Sequence, residues 1–538
     1  MKTKNNRIVQ RGLVLLMVVA MVSCNLDVQV KSPNVILPSD AGGAPPPESL
    51  SQIYAQLNNL TTDQGDWFGM QEHTTDEMMG PTRGTDWDDF GTWRKLHLHT
   101  WDGTHNQVVT AWNNIQAGLF QTTLLAESAA ASPADAAAAK FLRSFWAFQS
   151  IDMYGVLQHR PATAKILDLP QVYSRSEAVD ATITELEGAI ADLPSFAAAG
   201  ANRHLATKEA AYFLLAKLYL NKSVYKGAAN FDPNDMKKVI DNIDAITASG
   251  KFSVATNYWD NFTWLNGTKS TENIFVRRQQ DGGNMRWPTY SVSHYNMVPS
   301  GWNGFVVLSD FYDTFGKDGN LITDTLNDAR AYYWLTDGSY STVLGRNAGI
   351  LTGLQSGPTS GTSHAIDQPV LPLKDRSGNP LFFTKTASLF FSTEARGYRP
   401  NKYPLDPNSL RNGGDGSNST NDYVFFRYSD ALLMKAEAIL RGGVGTVPGS
   451  DTPLSLVNSI RANRNVAALG SVDLAGLLVE RGRELYLEAV RRTDLIRFGK
   501  FNDPTTERAN ASDASRKLFP IPNIALSSNP NLKQNDGY

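Results

Sequence analysis

Apolar residues recur along the first half of the chain at the period of an α-helix. Between Ser176 and Pro194, Val179, Ile183, Leu186, Ile190 and Leu193 fall at alternating spacings of four and three, which puts them on one helical face. Ser174 and Glu177 precede them as a capping box and Pro194 follows as a stop, so the pattern predicts one amphipathic helix. From Thr207 to Tyr219, Ala210, Ala211, Leu214, Leu215, Ala216 and Leu218 mix small and large apolar side chains, as in a closely packed helical hairpin, and the two segments together resemble a tetratricopeptide unit. Ala138 to Tyr154, with Phe141, Leu142, Phe145, Trp146 and Phe148, and Tyr428 to Leu440, with Leu432, Leu433, Ala436 and Ile439, read as further members. Between about residues 257 and 421 this period fades into Gly, Ser, Thr, Asn and aromatics, predicting loops and short strands. A long irregular insertion on a rigid scaffold is where binding function concentrates.

The N-terminus reads differently. Lys2, Lys4, Arg7 and Arg11 precede a short apolar run from Leu13 to Val22, and Met21-Val22-Ser23-Cys24 follows as a lipobox. This is the pattern of a signal peptide over residues 1–23, with Cys24 as the lipidated residue of the mature chain. Met21 stands where Leu is usual. Cys24 is the single cysteine of the 538 residues, so no disulfide use competes for it. Residues 24–48, with Ala41-Gly42-Gly43-Ala44-Pro45-Pro46-Pro47, have the composition of a flexible tether that would hold the rest at a membrane surface.

Composition narrows the function. A formal net charge of −3 removes the electrostatic case for nucleic acid. His97, His99 and His105 cluster near Asp102, but no HExxH or paired-cysteine pattern accompanies them, and no metal or other cofactor is expected. A nucleophile elbow, a P-loop and a dinucleotide fingerprint are all missing from the sequence. Glu480, Arg481, Arg483, Glu484, Glu488, Arg491 and Arg492 read as one helix with opposite charges three and four apart. Interleaved arginines would keep Glu484 and Glu488 ionised, which leaves no proton donor for hydrolysis. The chain reads as a binding protein and not as an enzyme.

The C-terminal third carries a recognisable set of motifs. They are Asn421-Asp422-Tyr423-Val424-Phe425-Phe426-Arg427-Tyr428 continuing to Ala438, Val457 to Arg464, Glu480 to Glu488, Arg491 to Lys500, Phe519-Pro520-Ile521-Pro522, and the ending Gln534 to Tyr538. In order and spacing this set resembles the SusD/RagB nutrient-binding lipoproteins of Bacteroidetes outer membranes. Thr75-Asp76-Glu77, Trp112-Asn113-Asn114-Ile115, Asp152-Met153-Tyr154-Gly155 and Asp328-Ala329-Arg330 fit upstream. Ala489 stands where the family commonly has Gly, and Asp536 where it has Pro. The resemblance implies a mainly α, tetratricopeptide-like scaffold over about residues 49–256 and 422–538, with a loop-rich ligand face over about 257–421, all in a single domain of residues 49–538. It also implies capture of an oligosaccharide at the cell surface and its delivery to a SusC-type TonB-dependent transporter in the outer membrane. The alternative from another class is a helical-repeat adaptor that binds peptides or proteins there.

Sugar rings stack their C–H faces on aromatic rings while neighbouring polar side chains read the hydroxyls. With 11 Trp and 19 Tyr, two clusters suit such a site. Arg83, Trp87, Trp93, Trp101 and Asn106 are the candidates of the first; Trp264, Trp287, Tyr290, Tyr295 and Trp302 are those of the second. Most of these tryptophans are expected in the core, with two or three facing solvent.

Overall fold

Helices stack in sequence to form the body of the protein, as seen in a computed structural model that describes residues 49–165, 167–279, 285, 287–297, 300–315, 328–334, 347–357, 371–404, 420–445 and 451–538. Cys24, the signal peptide and the tether lie outside the described residues. Among the described residues, 49–162 and 169–538 form one compact unit and 163–165 with 167–168 group apart from it. Every element named below belongs to the larger unit.

Its principal helices are α1 (Asp66–Glu72), α2 (Thr92–His97), α3 (Asn106–Ala126), α4 (Pro133–Tyr154), α5 (Arg175–Ala189), α6 (Lys208–Tyr225), α7 (Pro233–Ala248), α8 (Tyr428–Leu440), α9 (Pro453–Arg461), α10 (Leu474–Leu485) and α11 (Arg491–Arg497). From α3 to α9 each packs on the next, which gives the tetratricopeptide-like scaffold that the periodicity predicts. At α5 the Ser174 hydroxyl accepts from the Glu177 N–H while the Glu177 carboxylate accepts from the Ser174 N–H, as the capping box requires. Gly118 on α3 faces the Trp146 indole of α4, and a methyl group there would overlap the ring. That helix pair therefore crosses close enough to seal a fully buried tryptophan.

The strands are short. Among those used below, β1 is Met78–Met79, β2 Val156–His159, β3 Gln171–Ser174, β4 Asn273–Arg277, β5 Val306–Val307 and β6 Tyr423–Arg427. β6 pairs antiparallel with β4, with Tyr423 opposite Arg277 and Arg427 opposite Asn273. The first part of the motif that runs from Asn421 to Ala438 is thus a strand, and α8 follows it directly. Every residue of β4 and β6 is buried, so neither shows the alternation of a half-exposed strand. Their ladder brings together the two ends of the loop-rich region. Inside that region lie a three-stranded sheet (Tyr332–Trp334, Asn347–Leu351 and Arg399–Asn401) and two-stranded pairs.

The charged segment of residues 480–492 departs from its reading as one helix. α10 ends at Leu485 and α11 begins at Arg491, and in the link between them Leu487 and Ala489 adopt left-handed backbones with φ of 58° and 56°. Two carboxylates of the α1 region hold this link, with the Leu487 N–H donating to Glu77 at 3.1 Å and the Ala489 N–H to Glu72 at 2.8 Å. The charges pair mostly between elements. Arg330 binds Asp328 and Glu480 at 2.7 Å, Arg427 binds Glu484 and Glu488 at 2.7 Å, and Arg464 reaches Glu272 at 2.8 Å and Glu484 at 2.9 Å. Arg461 joins Glu480 at 2.7 Å and Lys402 joins Glu488 at 2.6 Å. This buried lattice fastens α9, α10 and β6 to the base of the loop-rich region. Burial pushes the Glu484 carboxyl up, but Arg464, Arg427 and Arg330 outweigh it and hold the group well below the usual carboxylate range.

Among the described residues no helix is long and apolar enough to cross a membrane.

Candidate functional site

β1 pairs antiparallel with β5, Met78 opposite Val307 and Met79 opposite Val306. This short ladder sets the chain after β1 beside the chain before β5, and so joins the two aromatic clusters of the sequence. The first of these segments folds back on itself at once, because Arg83 and Asp86 exchange backbone hydrogen bonds of 2.9 and 3.0 Å around Gly84. Trp87, Asp89 and Phe90 then take left-handed backbones with φ of 62°, 40° and 54°, and Asn303 in the facing segment has φ of 54°. Such conformations cost non-glycine residues about 1–3 kcal/mol each and concentrate at functional sites.

Between the two segments opens a cleft of about 350 Å³ lined by Gln64, Asp86, Trp87, Asp89, Tyr295 and Trp302. Trp302 is 41 % exposed and stands at its edge. Trp87 lies beneath, its indole N–H donating to the Trp302 carbonyl at 2.8 Å and its ring 6.4 Å from the Trp302 ring. Gly304 makes this fit possible, since a methyl group there would overlap the Trp87 ring. Tyr295 donates its hydroxyl to Asp86 Oδ2 at 2.7 Å. Burial and that carboxylate push its phenol up to about 12. One face of Tyr295 is covered by the Arg376 guanidinium, 4.0 Å from the ring centroid, and Arg376 in turn binds Glu394 at 2.9 Å. From the core behind the cleft the Trp93 indole donates to Asp89 Oδ2 at 2.6 Å.

The other candidates have different placements. Arg83 is buried and acts as a strut, donating to the Gly304 carbonyl at 2.7 Å and the Thr393 carbonyl at 3.1 Å. Trp93 is packed among His73, Trp87 and Phe305. Trp101 is tied to the C-terminus through the Tyr538 hydroxyl at 2.7 Å and lies against His99 and Phe519. Trp287 stacks on Phe68 at 4.2 Å, and Trp264 is likewise in the core. A ring enclosed on both faces offers no platform. Asn106 is exposed at the start of α3 and does not line the cleft. The side chain of Tyr290 lies outside the described residues.

The structure thus brings together Trp87, Tyr295 and Trp302 and adds Gln64, Asp86 and Asp89, with Arg376 alongside. Asp86 and Asp89 are visible in the sequence as acidic neighbours of Trp87, whereas nothing there singles out Gln64 or Arg376.

The histidines serve the scaffold. His97 bonds the Thr506 carbonyl, His99 bonds Ser512 and the Thr74 carbonyl, and His105 bonds the Thr92 carbonyl. Burial lowers all three below the usual imidazole range, His97 to about 4. Two smaller hollows of about 210 and 230 Å³ lie on the helical side, sharing Leu119, Thr123 and Gln158. Among the described residues no tryptophan lines either of them.

The sequence pattern that defines the SusD family matches residues 271–538. This chain belongs to the SusD family. A curated member, the starch-binding protein SusD of Bacteroides thetaiotaomicron, is 34 % identical over 126 residues, a match that spans 22 % of each chain. Solved structures from the family share the fold over nearly the whole length. A laminarin-binding SusD-like protein superposes with a TM-score of 0.65 at 17 % identity, covering 91 % of this chain and 98 % of that one. The surface glycan-binding protein A of B. thetaiotaomicron, solved in complex with laminarihexaose, gives 0.64 at 19 %, covering 90 % and 98 %. A SusD superfamily protein of Parabacteroides distasonis gives 0.65 at 18 %, covering 91 % and 98 %.

Proposed function

We propose that this protein is a cell-surface glycan-binding lipoprotein that captures oligosaccharide and hands it to a SusC-type TonB-dependent transporter. The observation that carries the binding half is the cleft, where exposed Trp302, braced by Trp87, shares the lining with Tyr295 and the Asp86 and Asp89 carboxylates. An indole face stacks on the C–H face of a sugar, and carboxylates accept from its hydroxyls. The starch- and laminarin-binding relatives support the ligand class. In this reading residues 1–23 are a signal peptide, Cys24 carries the lipid, residues 24–48 form the tether and residues 49–538 the binding domain. The lipobox sequence supports membrane attachment, and the family supports the transporter partner.

The action is binding without turnover. Glu484 is held ionised by three arginines, a poor proton donor at neutral pH. The test is to incubate the purified protein with a panel of plant, host and microbial oligosaccharides, following retention of the glycan and release of reducing ends together. Retention of one class with intact oligosaccharide recovered supports the proposal. Release of new reducing ends, or retention of none, contradicts it.

A further inference from the structure

We infer that the cleft selects neutral glycans and rejects uronic-acid and sulfated ones; the inference rests on the glycan-binding reading of the same cleft. The described residues that line it include two carboxylates, Asp86 and Asp89, and no cation. Arg376, the nearest cation on the Tyr295 side, is already committed, lying over the Tyr295 ring, paired with Glu394 at 2.9 Å and 3.6 Å from Asp86. Its side chain is 54 % exposed, and it offsets part of the negative charge of Glu394 and Asp86.

The hydrogen-bonding inventory points the same way. Two lining donors are engaged inside the protein, the Trp87 indole N–H with the Trp302 carbonyl and the Tyr295 hydroxyl with Asp86 Oδ2. Open acceptors remain. Asp86 and Asp89 each use only Oδ2, for Tyr295 and Trp93. A surface that chiefly accepts calls for a ligand that donates, and adjacent free hydroxyls on an unmodified sugar ring do so. A uronate or sulfate brings acceptors and a like charge instead. A ligand anion about 5 Å from one of these carboxylates, at the effective dielectric of a protein surface, loses over a hundredfold in affinity without salt and on the order of tenfold once salt screens the pair.

The test is calorimetric titration of the detergent-purified full chain with size-matched neutral hexasaccharides, hexagalacturonate and a sulfated hexasaccharide, in low salt and in about 0.5 M NaCl. The expected result is binding of a neutral hexasaccharide, with both acidic ones at least about tenfold weaker. High salt should narrow that gap, as should Asp89→Asn, which keeps an acceptor for Trp93 while removing the charge. An acidic hexasaccharide that binds as tightly as the neutral ones, or that weakens as salt rises, overturns the inference and leaves the glycan reading standing. Silence from all hexasaccharides overturns the glycan reading and this inference with it.

Discussion

Replacing Glu484 by Gln should destabilise the protein by about 3 kcal/mol, toward the lower end of the cost of breaking a buried ion pair. Glu484 is fully buried and accepts from Arg330, Arg427 and Arg464. The lattice around it is balanced, with Arg330, Arg427, Arg461, Arg464 and Lys402 facing Asp328, Glu272, Glu480, Glu484 and Glu488. Glutamine keeps the shape and one acceptor, so the loss is chiefly one negative charge, which leaves an uncompensated cation in a dry interior. The sign of the pH dependence follows from the depressed Glu484 carboxyl. Its contribution is complete above the ordinary carboxylate range and disappears as the pH falls through its folded value. The assay is urea unfolding of wild type and variant at neutral pH and in acid. A difference below about 1 kcal/mol at pH 7, or one that fails to shrink in acid, would refute the reasoning, because a desolvated charge cannot be lost at so small a cost. The double variant Glu484→Met/Arg464→Met should recover part of the loss, since an apolar pair leaves fewer charges unmatched.

Other outcomes follow from the same geometry. Burial raises the Glu72 carboxyl from 4.5 to about 7, so the folded state holds a proton that the unfolded chain releases. Stability should fall by up to about 3 kcal/mol as the pH rises from 5 to 8, and Glu72→Gln should flatten that slope in thermal melts. Ala489 has φ of 56°, where a Cβ is strained, so Ala489→Gly should stabilise the protein by about 1 kcal/mol in chemical denaturation. Gly304→Ala would drive a methyl group into Trp87 and tilt the support of Trp302. It should cost about 1–3 kcal/mol of stability, weaken glycan binding and shift the tryptophan emission; unchanged affinity would show that Trp87 does not set the position of Trp302.

The helical scaffold was legible because its signals are local. Ser174 and Glu177 cap α5 as their spacing indicates, and α8 spans Tyr428–Leu440, as the apolar pattern predicts. β6 was hidden because a strand buried on both faces has no alternation, and its pairing with β4 is a contact between distant residues. The break between α10 and α11 was hidden by a run of good helix formers; it depends on the Glu72 and Glu77 carboxylates far away in sequence. Of the aromatic candidates, Trp87, Tyr295 and Trp302 line the cleft, whereas Trp93, Trp101, Trp264 and Trp287 are buried away from it. Trp101 and Trp287 cannot be told from Trp302 by residue type, and their burial is decided by Tyr538 and Phe68, distant partners that composition does not reveal.

The most direct test of the central claim is calorimetric titration of the wild-type chain and of Trp302→Ala with the oligosaccharide that the panel identifies. Trp302 stands at the edge of the cleft, so its removal should leave the melting temperature nearly unchanged. Losing one stacking platform should weaken binding by about 1–3 kcal/mol, roughly tenfold or more. Undiminished affinity in a folded Trp302→Ala variant would place glycan capture elsewhere on the molecule and contradict the account.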